Sequence, residues 1–393
     1  MSYGRDVVYL DHAATTPVDP AVLQTMIPYF SQNFGNPSSI YQSGQDGHSA
    51  LDRARGQVAT VLGCRSSEVI FTSGATEGIG LALRGIAWAA KLRNPDSNPH
   101  IVSTSVEHHA VLHTLDALDR QGFRITLVPC DVNGRVDAHR VLAAIEVGTC
   151  LVSVMLANNE VGTLQPVSEI GAEVRACGIP MHTDAVQAAG SLPINVNELN
   201  VDLLSLSAHK FYGPKGVGVL YARKGTQLEW TQQGGGQESG RRGGTENVPL
   251  IVGMGEAVAR AEQSREQYVA FVTELRDELW RAIQERVDGV TLNGPEPGPE
   301  RLPNSLNITL NGVQGETALL SLDMMGIEAS AGSACTTGNS EPSHVLLAMG
   351  LNEEAARASL RLTVGRGNSV EEIHRAADAL AEVVHRIRSL AGR

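Results

Sequence analysis

Only four lysines occur in this chain of 393 residues, and one of them is placed unlike the rest. Lys91 leads into a polar loop, Lys215 sits in a Gly-Pro-Lys-Gly turn and Lys224 in an Arg-Lys-Gly turn, so all three read as solvated. Lys210 instead follows an apolar run at 202–207, with Ser207 and His209 beside it. Partial desolvation there lowers the pKa of a lysine and makes its amine a usable nucleophile. An isolated lysine at such a place would read as a side chain snorkelling to solvent. Lys210 is not isolated. Thr72-Ser-Gly-Ala-Thr76 follows an apolar run at 69–71, and Glu107-His108-His109 follows one at 101–104. Asn158-Asn159-Glu160 follows a run at 151–156, and Asp184 and Gln187 follow one at 179–182.

Small residues ahead of a helix let backbone N–H groups meet an anion at the positive end of the helix dipole, so 72–76 is a candidate phosphate cradle. The carboxyl of Asp184 at the end of an apolar strand needs a partner. An anion cradle, a histidine able to stack, an aspartate and a nucleophilic lysine together suit pyridoxal phosphate. Its aldehyde forms a Schiff base with lysine, and its ring nitrogen needs an acid partner to accept electrons. A nicotinamide fits less well, since no G-x-G-x-x-G follows an early strand, and no P-loop is present. Among the five cysteines, Cys130, Cys150 and Cys177 lie in or beside apolar segments and Cys64 follows a helix. Cys335 stands apart in Ser-Ala-Gly-Ser-Ala-Cys-Thr-Thr-Gly-Asn-Ser, residues 330–340, a run pliable enough to read as a mobile loop. A thiol so presented is a candidate nucleophile, and beside a pyridoxal site it points to sulfur chemistry on an amino acid.

The elements that must position these residues alternate. Strands are expected at 69–71, 101–104, 151–156, 179–182, 202–207 and 218–221. Helices are expected at 75–92, at 108–120 and from Pro166 onward. This is the pattern of a largely parallel sheet covered by helices, with sites at the strands' carboxyl ends. A Gly- and Arg-rich loop at 234–246 precedes one long helix at 249–286. Strands near 305–309, 327–330 and 359–364 follow, and a last helix covers 370–390. The expected division is a large cofactor domain, 15–260, and a smaller α+β domain built from 1–14 and 261–393.

With 31 Lys+Arg against 43 Asp+Glu the net charge is −12, which leaves no broad footprint for a nucleic-acid backbone. The most apolar helical stretch, 79–92, is broken by Arg84 and is shorter than the roughly 20 residues that span a bilayer. An odd number of cysteines without C-x-x-C spacing argues against a disulfide framework or an intrinsic metal site. A reduced, cytoplasmic protein without membrane contact is expected, and the length suggests two or three domains at about 150 residues each.

The chain resembles the cysteine desulfurases, pyridoxal phosphate enzymes of the class V aminotransferase-like group with fold type I architecture. The resemblance rests on Tyr9-Leu-Asp-His-Ala-Ala-Thr-Thr-Pro17, Phe71-Thr-Ser-Gly-Ala-Thr-Glu77, Glu107-His108, Asn158-Asn-Glu-Val-Gly162 and His182-Thr-Asp-Ala-Val-Gln187. It continues through Ser205 to Gly216, Arg242-Gly-Gly-Thr-Glu-Asn-Val248 and Gly332-Ser-Ala-Cys335, nearly end to end. The long run around Cys335 and its Glu341-Pro-Ser343 exit resemble the group with an extended cysteine loop.

The resemblance implies that Lys210 carries the cofactor, Asp184 pairs with its ring nitrogen, His108 stacks on the ring and shuttles protons, and Gln187 bonds the ring hydroxyl. Ala75, Thr76, Ser207 and His209 would hold the phosphate, with Thr245 reaching in from the partner subunit of a homodimer. Asn159, which also borders the cofactor, and Arg361 would bind the substrate carboxylate. L-cysteine would become L-alanine, leaving a persulfide on Cys335 that passes to an acceptor for iron–sulfur cluster assembly or thiolation; Cys335 is also available to ligate a cluster transiently on a scaffold partner. The same scaffold serves selenocysteine lyases and other class V lyases or aminotransferases. Gly-Ile-Gly at 78–80, where relatives often carry polar residues, predicts a looser helix start.

Overall fold

The computed structural model describes residues 7–331 and 341–391. Its strands are β1 (Val8–Tyr9), β2 (Val69–Thr72), β3 (His100–Thr104), β4 (Arg124–Val128), β5 (Thr149–Ser153), β6 (Met181–Asp184), β7 (Leu203–Ser207) and β8 (Gly218–Ala222). They continue as β9 (Val290–Leu292), β10 (Ser305–Leu310), β11 (Ile327–Glu328) and β12 (Ser359–Thr363). A seven-stranded sheet has the order β2-β8-β7-β6-β5-β3-β4. Only β8 runs against the others, pairing antiparallel with β2 and β7. The remaining pairs are parallel, giving an α/β fold with a mostly parallel central sheet. From β3 the chain adds β4 on one side, whereas β5, β6 and β7 build outward on the other. Such a switch opens a crevice at the strands' carboxyl ends.

Two-residue alternation sorts the sheet's side chains into two apolar layers. Ile70, Ile101, Leu151, Leu203 and Leu220 pack with Ile79, Leu83 and Leu115 of the helices Ala75–Arg93 and His109–Asp119. Their neighbours Phe71, Val102, Val152, Leu204 and Val219 join the opposite layer, with Val58, Ile170 and Met254 from three further helices. A separate core gathers Val8 and Leu10 with Val272, Leu279, Ile308, Leu360 and Ile373. Around it lie the antiparallel sheet β12-β10-β9 and the parallel pair β1–β11.

Several elements depart from expectation. The single long helix is two, Val248–Gln263 and Arg265–Arg286, broken at Ser264. Its apolar stripe serves two cores: Val258 and Ala261 face the first, Val272 and Leu275 the second. The strand β4 lies at the sheet edge with an exposed-to-intermediate pattern, so its burial signal is weak. Beyond β5 the chain stays extended without being a strand, Leu156 N–H donating to the Asp184 carbonyl at 2.9 Å. Despite Gly78 and Gly80, the helix Ala75–Arg93 is unbroken, with both glycines buried. Among the described residues no helix is long and apolar enough to cross a membrane.

Candidate active site

The carboxyl ends of β2, β3, β6 and β7 open into one cavity of about 510 Å³, within the range of small-molecule sites. Its first wall is Ser73, Gly74, Ala75 and Thr76, where β2 turns into a 19-residue helix. Gly74 offers no side-chain cap, so the first-turn N–H groups are left for an anion. Glu77 steadies this turn, accepting from Ser73 N–H at 2.7 Å and from Arg242 Nε at 2.7 Å. Gly218 opposes it across the sheet, where a Cβ would lie 2.5 Å from the Leu206 carbonyl oxygen and 2.6 Å from the Gly74 carbonyl carbon. Only glycine allows backbones so close.

Lys210 follows β7 in a short 3-10 turn, and its Nζ donates to the carbonyls of Ala13 at 2.5 Å and Ala14 at 2.8 Å. The amide nitrogen of Gln187 donates to the same Ala13 carbonyl at 3.0 Å. His209 Nδ1 lies 3.1 Å from Thr15 Oγ1, so residues 13–16 are laid over the end of β7. Asp184 is 5% exposed, with Oδ1 accepting from Val186 N–H at 3.0 Å. Burial lifts its carboxyl to about 6, opposed by that N–H and by the Lys210 charge.

His108 caps the helix His109–Asp119, its Nδ1 accepting from Ala110 N–H at 3.1 Å. Burial first, then the charge of Lys210 and the neighbouring imidazoles, push it down to about 4. The ring is therefore neutral at pH 7, and with Nδ1 an acceptor its proton is assigned to Nε2. His109 turns toward His113 and His344, with ring centroids 4.8 and 4.5 Å away.

Arg361 reaches the cavity from β12 although only 3% exposed. Its Nη1 donates to the Asn159 carbonyl at 3.0 Å and its Nη2 to Asp11 Oδ1 at 2.8 Å.

Lys210, Asp184, His108, Gln187, Ala75, Thr76, Ser207, His209, Asn159 and Arg361 thus share one cavity. Thr245 does not: it is exposed, on the loop pinned where Glu238 accepts two bonds from Arg55 and one from Phe71 N–H. Cys335 lies outside the described residues. The other four cysteines are absent from the cavity wall, and burial pushes the thiols of Cys64, Cys130 and Cys150 up. One lysine expectation changes: Lys91 is half-buried with Nζ on the Ser97 carbonyl at 2.7 Å, whereas Lys215, exposed as expected, also borders the cavity.

Sequence reasoning assigned no role to Asp11, Glu107, Glu160 or His344. Glu107 did carry a signal, an acid ending an apolar strand beside a histidine. It is wholly buried, with Oε1 accepting from Met155 N–H at 2.7 Å and Thr104 Oγ1 at 3.0 Å, while Oε2 has no partner among the described residues. His344 Nε2 donates to its backbone carbonyl at 2.9 Å. Burial lifts Glu107 to about 8, so it is protonated at neutral pH. The folded chain then holds a proton that the unfolded chain releases near pH 4.5, and stability falls as pH rises from there to about 8. Glu107→Gln, which mimics the protonated acid, is expected to flatten that decline. Its advantage should reach a few kcal/mol near pH 8, each tenfold difference in proton affinity being worth about 1.4 kcal/mol. Thermal unfolding of both proteins from pH 5 to 8 measures this, and a constant difference would refute it.

The Aminotransferase class-V family model matches residues 8–375. A cysteine desulfurase IscS of Clostridium botulinum is 45% identical over 98% of this chain and 96% of that protein. A putative cysteine desulfurase IscS 1 of Bacillus subtilis is 47% identical over 97% of this chain and 99% of its own length. Among solved structures, a NifS-like protein superposes with a TM-score of 0.89 at 36% identity, covering 97% of this chain and 100% of that one. With the site at the carboxyl edge of a matching sheet, the chain belongs to the class V aminotransferase family, in its cysteine desulfurase branch.

Proposed function

We propose that this protein is a pyridoxal phosphate-dependent L-cysteine desulfurase that converts L-cysteine to L-alanine and stores the sulfur as a persulfide on Cys335. The observation that carries the reading is the shared cavity of Lys210, the buried Asp184 and the uncapped helix start at Ala75. These residues fit the cofactor. The first-turn N–H groups of Ala75 and Thr76, with Ser207 and His209, would receive its phosphate, and the desolvated carboxyl of Asp184 would pair with its ring nitrogen. When bound, pyridoxal phosphate supplies an electron sink for the substrate's α-carbon.

The chain's own groups do the rest. Lys210 would carry the cofactor, and its Nζ, which the Ala13 and Ala14 carbonyls receive, would serve as the acceptor of the α-proton. Asp184 would hold the ring-nitrogen proton. His108 would stack on the ring, and with Nδ1 engaged by Ala110 N–H its Nε2–H would be the proton it can donate. Gln187 would bond the ring hydroxyl. Arg361 and Asn159 grip the substrate carboxylate, which fixes the α-C–H bond relative to Lys210. The thiolate of Cys335 forms a bond to the substrate sulfur as the C–S bond breaks; the electron pair stays on carbon, which is protonated to give L-alanine.

The protein acts as a homodimer in which Thr245 enters the partner's phosphate site. Supporting this are the exposure of Thr245 and a run of exposed apolar side chains: Leu23, Ile27, Phe30, Phe34, Ile40 and Tyr41. Two domains, 15–260 against 1–14 with 261–393, are supported by the two separate cores, although Ala261 and Leu302 pack with the first, and the sulfur passes to a cytoplasmic acceptor protein for cluster assembly or thiolation. Incubation of the cofactor-loaded protein with L-cysteine and a reductant should release alanine and sulfide in equal amounts. Failure to consume cysteine, or alanine without sulfide, would overturn the reading.

A further inference from the structure

Arg361 is already engaged. Its guanidinium is nearly wholly buried, with Nη2 on Asp11 Oδ1 at 2.8 Å and Nη1 on the Asn159 carbonyl at 3.0 Å, while Nε has no hydrogen-bond partner among the described residues. Asp11 is itself rigidly placed. Its backbone bridges Thr363 on the far side of β12, and its carbonyl accepts from Tyr9 OH at 2.9 Å. The side chain of Asp11 is 17% exposed, so solvent screens this pair only in part. Glu160, another carboxyl that feels the charge of Arg361, is tied to the hydroxyl of Ser343 instead. Neutralisation of the guanidinium therefore falls chiefly to Asp11.

A carboxylate arriving at Arg361 meets a cation whose field is partly cancelled and two of whose nitrogens already donate, one to Asp11 and one to the Asn159 carbonyl. We propose that Asp11 is an affinity-setting residue: it competes with the substrate's α-carboxylate for Arg361, orienting the guanidinium while keeping carboxylate binding weak enough for the product to leave. This rests on the reading of Arg361 as the carboxylate site. Binding stronger than turnover needs adds nothing to the rate, since it stabilises ground state and transition state alike. A residue that only held Arg361 in position would weaken carboxylate binding when lost. A competitor has the opposite sign.

The test is equilibrium binding of propanoate to the cofactor-loaded protein by calorimetry; propanoate has the carboxylate but no amine, so it cannot react. Asp11→Asn keeps the shape of the side chain and removes its charge, and is expected to bind propanoate about three- to tenfold more tightly, tenfold being 1.4 kcal/mol. Asp11→Glu, which keeps the charge, should remain within about twofold of the parent, and Arg361→Ala should lose binding. Unchanged or weaker binding by Asp11→Asn, with Arg361→Ala still deficient, overturns the role of Asp11 and leaves Arg361 as the carboxylate site. Undiminished binding by Arg361→Ala overturns both. Tightening by Asp11→Glu equal to that of Asp11→Asn would make shape, not charge, responsible and also overturns the proposal. Should Asp11→Asn prove unfolded in a thermal melt, Asp11→Ser gives the same reading of sign.

Discussion

Lys210→Ala is expected to lower turnover of L-cysteine by at least about 10³-fold and to remove the visible absorption of the cofactor-loaded protein. Two functions are lost with one amine: covalent attachment of the cofactor and a proton acceptor at the α-carbon, each of the class that contributes roughly 10²–10⁴-fold. No other lysine can replace it. Lys215, the other lysine at the cavity, is exposed at its border. The two carbonyls that hold Nζ belong to Ala13 and Ala14 and survive the substitution, so the change should be local. Thermal stability close to that of the parent, with absorption and activity gone, is the expected pattern. A Lys210→Ala protein that stays coloured after dialysis and turns over cysteine would refute the assignment.

Cys335→Ser is expected to abolish persulfide and sulfide formation, a loss of about 10²-fold or more, while the visible absorption remains. A serine hydroxyl is not ionised at neutral pH and is a poor nucleophile toward sulfur. The remaining thiols offer no substitute. Cys64 and Cys150 are pushed up to about 12 and 11 by burial, and none of the four described cysteines borders the cavity. Mass spectrometry after exposure to L-cysteine locates the extra sulfur atom directly. Persulfide on another cysteine, or undiminished sulfide from Cys335→Ser, would sink the role assigned to this thiol.

Much of the fold is legible in the order of residues. Strand alternation separates Leu203 from Leu204 and Ile101 from Val102, and the structure sends each pair to opposite faces of the sheet. The candidate residues follow strand ends, and an α/β sheet with parallel connections collects strand ends at one edge. Less legible is anything that depends on where a stripe finds its partner. A helix pattern over 249–286 runs without interruption, yet the chain breaks at Ser264, where the apolar side chains change from one core to the other. The edge strand β4 is invisible for a related reason: with one side exposed, Arg124–Val128 lacks the apolar run that marks the central strands.

The site divides along the same line. Residue types and their order by themselves pointed to the chemistry: a lysine, an aspartate and histidines at strand ends, small residues before a helix, and one cysteine in a pliable run. Tertiary structure alone decided the protonation and the opponents. The carbonyls that receive Lys210 carry no side-chain signature, and Asp11 meets Arg361 across 350 positions of chain. The neutral state of His108 and the protonated state of Glu107 come from removal of water, and burial is a property of the packed chain rather than of any residue. Sequence names the groups that can react; folding sets their charge, because desolvation and through-space partners are created only when distant segments close over them.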